Sequence, residues 1–164
     1  MTRETAPEPA PGPPPPAERR RPDRVAAACL LAWLVPGGGH FFLGRRLPAV
    51  VFFLIVLATF SLGLAQGGKV YLADRAQPLS FLATFTNLAL GPLDLVGRQA
   101  VYGRVVLRRP PDPEGPEAQA LLLAERKRVE RETYEYGTTY LLTAGLMNIL
   151  LILDAFDIGI GRKA

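Results

Sequence analysis

The chain has 164 residues, of which 49% are hydrophobic, a net charge of +4 and a single cysteine, Cys29. The length fits one domain, and one cysteine excludes both an internal disulfide and a cysteine-rich metal site. The basic residues flank apolar runs and form no stripe with aromatic side chains, so this pattern speaks against a nucleic-acid partner and favours a membrane protein.

The first 24 residues hold eight of the sixteen prolines and almost no apolar side chains. Proline cannot donate a hydrogen bond to a helix or a sheet, and this segment has little apolar surface to bury. We therefore predict a disordered Pro-rich tail over residues 1–24 and a helical membrane domain over residues 25–164.

Four apolar segments predict membrane-embedded helices, at about residues 25–44, 47–65, 78–96 and 138–158. Segment 47–65 has nineteen residues without a charge and is the clearest span, since a hydrocarbon core of ~30 Å needs about 20 helical residues. The first and third segments are weaker spans. Pro-Gly-Gly-Gly interrupts the first, and the third carries an asparagine, a proline and an aspartate.

Small and polar residues fall near one stripe of the last segment, which predicts close packing against neighbouring helices. They are Gly137, Ala144, Asn148, Ala155 and Gly159. Together the segments predict an all-α integral membrane bundle with about four membrane-embedded helices and one amphipathic surface helix.

The surface helix is predicted within the polar region 97–136, over residues 117–135. Proline at its first position and an acid in its first turn favour a start at Pro116-Glu117. Opposite charges four residues apart predict ion pairs along it, between Arg126 and Glu130, Arg128 and Glu132, and Arg131 and Glu135. An apolar stripe is predicted along Ala118, Leu122, Val129, Thr133 and Tyr136.

The distribution of Lys and Arg bears on topology. Five lie in the tail, two at 45–46, two in 66–77, eight in 97–136 and two at the C-terminus. Four full spans divide them nine against ten, whereas failure of the first or of the third segment to span divides them fifteen against four. The positive-inside tendency therefore indicates that one of the two weak segments is re-entrant or broken.

The stretch "VPGGGHFFLGRR", residues 35–46, joins the first two apolar segments. Proline breaks a helix, and consecutive glycines permit positive φ and close backbone approach. We favour a structural turn with arginines that reach the membrane surface. The alternative is a loop that binds an anion or a lipid headgroup through Gly37, Gly38, Gly39, His40, Arg45 and Arg46.

Polar side chains within the apolar segments are the other candidate site, because such residues usually face protein or water and not lipid. They are Asn87, Asp94, Asn148, Asp154 and Asp157. The last two share a helix face. Arg162 and Lys163 are their local candidate partners, and Arg45 and Arg46 the distant ones; we predict the local pairing, with both aspartates at the water interface.

Two resemblances add to this interpretation. "LAWLVPGGGHFFLGRR" resembles the "PGxGHxYLGR" hairpin of small prokaryotic membrane proteins, including the two-transmembrane-helix domain, with Phe42 where tyrosine is usual. With the ending "AGLMNILLILDAFDIGIGRK", the chain resembles a family of uncharacterised bacterial multi-pass membrane proteins, a domain of unknown function. That resemblance implies the bacterial inner membrane and no known activity.

The leading functional prediction is a non-enzymatic structural or accessory membrane subunit. Its predicted partners are the lipid bilayer and other membrane proteins or a second copy of itself. No catalytic residue, metal ligand or cofactor is predicted. The alternatives are a headgroup binder or membrane enzyme that uses the glycine loop, and an ion- or solute-coupled carrier that uses the intramembrane polar residues.

Overall fold

Seven helices form the regular structure of residues 22–163, the part of the chain that this computed structural model describes, and those residues contain no strand. In chain order they are α1 (Pro22–Leu34), α2 (Gly38–Phe42), α3 (Arg46–Ala65), α4 (Pro78–Leu88), α5 (Pro92–Tyr102), α6 (Pro116–Val129) and α7 (Tyr134–Ile160). The predicted disordered tail lies outside the described residues, except for residues 22–24, which belong to α1.

Helices α3 and α7 are long and apolar enough to cross a membrane, and α4 with α5 would be a third candidate if the bent pair counts as one span. The two long helices are antiparallel: Gly63, near the end of α3, packs against Gly137 and Leu141 at the start of α7. We call the end where α3 begins and α7 finishes the Arg46 end, and the opposite one the Tyr134 end.

Helices α1 and α2 form a short hairpin that enters the bundle from the Arg46 end. Proline at position 36 stops α1, because it lacks an N–H and disfavours the helical conformation of the residue before it. Gly37 then turns the chain with φ +80°. At the open end of this hairpin, Gly159 of α7 lies beside Val25 of α1. The predicted break in segment 25–44 is confirmed.

Helices α4 and α5 form a second hairpin, bent by 116°. Gly91, with φ +61°, and the proline after it make the bend between them. Both of its open ends lie at the Tyr134 end: the backbone N–H of Asp74 donates to Ser80 Oγ (2.8 Å), and the Tyr102 hydroxyl donates to the Val70 carbonyl (2.6 Å). Segment 78–96 is therefore not a straight helix. The sequence predicted a break in one of the two weak segments, and the structure has a break in both.

The surface helix differs from its prediction at its C-terminal end. Helix α6 stops at Val129, a turn follows, and α7 begins at Tyr134, so residues 117–135 are not one helix. The Thr133 hydroxyl in this turn donates to the carbonyl of Gln66 (3.0 Å), which ties the turn to the end of α3. The three predicted four-apart pairs are absent from the ion pairs of residues 22–163, because Glu130, Glu132 and Glu135 lie beyond α6.

The apolar stripe of α6 also differs. Its buried residues are Ala118 and Leu121, whereas the predicted Leu122 and Val129 are exposed. Contacts with α5 and the preceding loop decide which face is covered, and the sequence of α6 alone does not contain them.

The small-residue stripe on α7 is confirmed, since all five of its members are buried. Among them, Gly137 packs against Gly68 after α3, and Ala155 packs against Gly39 of α2. The outer faces of α3 and α7 are the reverse: large apolar side chains such as Leu54 and Leu150 are more than half exposed. A face of this kind suits hydrocarbon.

Candidate functional site

A histidine from the start of the chain meets an aspartate from its end. Nε2 of His40 donates to Oδ2 of Asp154 (2.8 Å), and the imidazole is 1% exposed. The ring of Phe52 on α3 packs edge-on against the imidazole at 5.1 Å between centroids. Short α2 therefore positions His40 between the two long helices, and Asp154 fixes its orientation.

The same carboxylate also binds a lysine beyond the last helix. Nζ of Lys163 donates to Oδ1 of Asp154, so one carboxylate joins an ammonium to an imidazole. Asp157 pairs with Arg162 at 3.7 Å. Both predicted local pairings are present, and the distant partner is His40, where Arg45 and Arg46 were the distant candidates.

Replacing Asp154 by asparagine tests this link. We expect Asp154→Asn to lower the free energy of unfolding by about 1–2 kcal/mol, since a hydrogen bond to a charged group is worth about 1.5–3 kcal/mol and the amide keeps one acceptor. The matched control is Asp157→Asn, whose long pair with Arg162 is exposed and worth under about 1 kcal/mol. The measurement is reversible unfolding of the detergent-solubilised protein, and equal losses in the two variants would contradict a role for His40.

The three glycines of the candidate loop lie where helices touch. A Cβ on Gly37 would overlap the carbonyl oxygen of Ala49, one on Gly38 would lie 2.5 Å from the carbonyl oxygen of Leu31, and one on Gly39 would lie 2.5 Å from that of Ala28. These positions need glycine because a side chain would force the helices apart. This geometry supports the structural-turn interpretation of the motif.

The two arginines of the motif lie at the Arg46 end, Arg46 exposed and Arg45 half-buried. The α1–α2 hairpin and α3 border an open apolar cavity of about 420 Å³. Its walls include Leu31, Phe41 and Phe53. Neither arginine is among the lining residues, and none of those residues has a polar side chain.

The turns of the two hairpins meet at Asn148, near the middle of α7. Its side-chain N–H₂ donates to the carbonyls of Ala32 on α1 (3.3 Å) and Ala89 at the end of α4 (2.7 Å). Nε1 of Trp33 adds a bond to the Leu88 carbonyl (3.1 Å). Carbonyls at helix C-termini have no partner within their own helix, and Asn148 satisfies two of them in a place where lipid would leave them unpaired. The Leu88 carbonyl also accepts from the backbone N–H of Gly91 (2.9 Å).

Asp94 belongs to a separate site at the Tyr134 end. Nε of Arg98 donates to its Oδ2 (2.6 Å), and both side chains are almost completely buried. Nη1 of Arg98 also donates to the carbonyls of Tyr71 (3.0 Å) and Val106 (2.7 Å). The arginine thus holds the chain on either side of the α4–α5 hairpin.

Asn87 is 2% exposed, and its side-chain amide has no hydrogen-bond partner within residues 22–163. The candidate polar residues therefore do not form one site. His40 and Asp154 come together, Asn148 stands at the hairpin turns, and Asp94 pairs with Arg98. The same residues contain no group of three His, Cys, Asp or Glu that could hold a metal ion.

Sequence reasoning missed Arg98, the largest fully buried side chain of the described part. A signal was present, since Asp94 and Arg98 are four residues apart and such residues are neighbours on a helix. The predicted third segment ended at residue 96, which assigned the arginine to the polar loop. Trp33 was missed as well, and nothing in its local sequence indicates a bond to α4.

A model of a family of unknown function, DUF6677, matches residues 27–164. The match covers all the helices after the first turns of α1, and the chain belongs to this family. No curated protein and no solved structure matches the chain.

Proposed function

We propose that this member of the DUF6677 family is a multi-pass protein of the bacterial inner membrane that acts as a non-enzymatic structural or accessory subunit. Two observations support a membrane location: the apolar length of α3 and α7, and their exposed apolar outer faces. The family match is consistent with this role and assigns no activity.

In the proposed arrangement α3 and α7 cross the membrane, while the two hairpins enter from opposite sides and turn back at Asn148. This gives four membrane-embedded units, two of which do not span. Both termini of the domain then lie at the Arg46 end, and α6 lies at the Tyr134 end. Lys and Arg divide nine against ten between the two sides, so charge gives no orientation.

The structural role rests on one observation, namely which groups three buried polar side chains bind. The side chains of His40, Arg98 and Asn148 bind other segments of this same chain, at the Arg46 end, the Tyr134 end and the middle respectively. Each bond ties a broken helix or a loop to the rest of the fold. Side chains used in this way stabilise the fold of this chain and are not available for catalysis or transport, which supports a structural or accessory role.

Single cysteines test the arrangement, in a chain with Cys29 replaced by alanine. We expect a membrane-impermeant maleimide to label Arg46→Cys and Arg162→Cys from one side, and Ala76→Cys and Lys127→Cys from the other. All four positions are exposed, so the labelling reports on topology and not on burial. Labelling of positions 46 and 162 from opposite sides would contradict an α4–α5 hairpin that turns back.

A photo-crosslinking residue tests the accessory role in cells at native expression. Placed at Leu54 of α3 or Leu150 of α7, which face outward, it should give a protein adduct of one discrete mass from at least one face. The control is Val56, which is completely buried and should give no adduct with another protein. Adducts with lipid alone from both faces would mean that the protein works without a protein partner.

A further inference from the structure

A groove of about 470 Å³ lies between α5 and α6 at the Tyr134 end. Its apolar lining residues, which we call the floor, come from both helices: Val101, Ala120, Leu123 and Ala124. Its basic lining residues, which we call the rim, come from the last turn of α6 and the turn after it: Lys127, Arg128 and Arg131. No acidic side chain lines it. The groove therefore has four apolar lining residues and three cationic ones.

The groove opens at the level where the two long helices end. Nη1 of Arg128 donates to the carbonyl of Gly68 (3.1 Å), just after α3, and the side chain of Arg131 lies against Gly67. Gly68 in turn lies against Gly137 in the first turn of α7. In the proposed arrangement the rim is therefore at the headgroup layer, since it contacts the chain where α3 ends.

The charges around the rim favour an anion. Glu125 of α6 pairs with Arg109 and Lys69. Glu130 and Glu132 adjoin Arg131 in sequence, but both are exposed and neither lines the groove. Burial lowers the pKa of Arg128, because the cation loses water, and an anion at the rim would compensate for that loss. The C-terminal end of α6 carries a partial negative charge equivalent to about half an elementary charge, which three cations outweigh.

We propose that this groove binds a phospholipid with an anionic headgroup. Its phosphate would contact Lys127 and Arg131 on the rim, and the first methylenes of its acyl chains would cover the apolar floor. Arginine and lysine near a membrane surface attract anionic lipids, and an apolar floor beside them distinguishes a lipid from a free phosphate ion.

Native mass spectrometry of the purified full-length chain tests this site. The probes are phosphatidylglycerol, which is anionic, and phosphatidylcholine, which has no net charge. We expect phosphatidylglycerol to bind more tightly, and Lys127→Gln/Arg131→Gln to weaken its binding about tenfold or more, since each basic residue at a membrane surface attracts the anionic headgroup. Both residues are exposed, so the fold should tolerate the change.

Two further variants test whether binding depends on charge at this groove in particular and on its apolar floor. Arg45→Gln/Arg46→Gln removes the same charge at the opposite end and should leave binding unchanged. Leu123→Gln removes no charge, yet it should also weaken binding because it makes the floor polar. The proposal is overturned if the Lys127/Arg131 variant binds phosphatidylglycerol normally, if the Arg45/Arg46 variant alone loses binding, or if inorganic phosphate displaces the lipid. The cysteine labelling above tests membrane topology independently of any lipid.

Discussion

Replacing Arg98 by methionine is expected to lower the free energy of unfolding by about 3–5 kcal/mol, the cost of leaving one charge of a buried pair without its partner. Asp94 would stay buried in α5, and the carbonyls of Tyr71 and Val106 would lose their donor. The segments before and after the α4–α5 hairpin would therefore lose their shared attachment to α5. Reversible unfolding of the detergent-solubilised protein measures this loss.

A double variant separates the unpaired charge from the lost packing. In Asp94→Leu/Arg98→Met both charges are removed, so we expect more than half of the lost stability to return. The matched control is Arg104→Met, which breaks an exposed pair with Glu117 and should cost under about 1 kcal/mol. A loss as small for Arg98 as for Arg104 would show that the buried pair does not hold the hairpin.

Replacing Gly37 by alanine is expected to cost about 2–5 kcal/mol. Two effects add: a left-handed conformation costs an L-residue about 1–2 kcal/mol, and overpacking costs about 1–3 kcal/mol. The new Cβ would overlap the carbonyl oxygen of Ala49, and a backbone atom inside α3 cannot move aside as a flexible side chain would. The same unfolding measurement applies.

Gly44 provides a control with the same backbone conformation and free space. Its φ is +84°, against +80° for Gly37, but no atom beyond its chain neighbours lies within 4 Å of a Cβ built there. Gly44→Ala should therefore cost only the conformational part, about 1–2 kcal/mol. The difference between the two variants measures the packing of the hairpin on α3, and equal losses would mean that the glycine motif serves conformation alone.

Much of the local structure follows from local signals. An uninterrupted apolar run predicted α3 within a residue at its start and at its end. The Pro-Gly-Gly-Gly motif predicted a break after α1, because proline and glycine act on the residues next to them. The stripe on α7 predicted which face is buried, since helical periodicity assigns residues to faces without knowledge of the neighbour.

The candidate site was predictable only in part. Asp154 and Asp157 were identified as polar residues that need partners, and Lys163 and Arg162 are within reach of them along the chain. His40 was identified as well, but its partner is 114 residues away. Nothing in the local sequence around either residue indicates that they pair.

The sequence by itself determined the all-helical class, the two long apolar helices, the glycine and proline breaks, and the small-residue face of α7. Those properties depend on backbone preference and hydropathy within a helix's own length. Only the tertiary structure decided that the broken helices are hairpins from opposite ends that meet at Asn148, and that His40 lies against Asp154. These contacts join residues 59 to 116 positions apart. They depend on how α3 and α7 pack, because a buried donor binds whichever unpaired carbonyl or carboxylate that packing brings within about 3 Å.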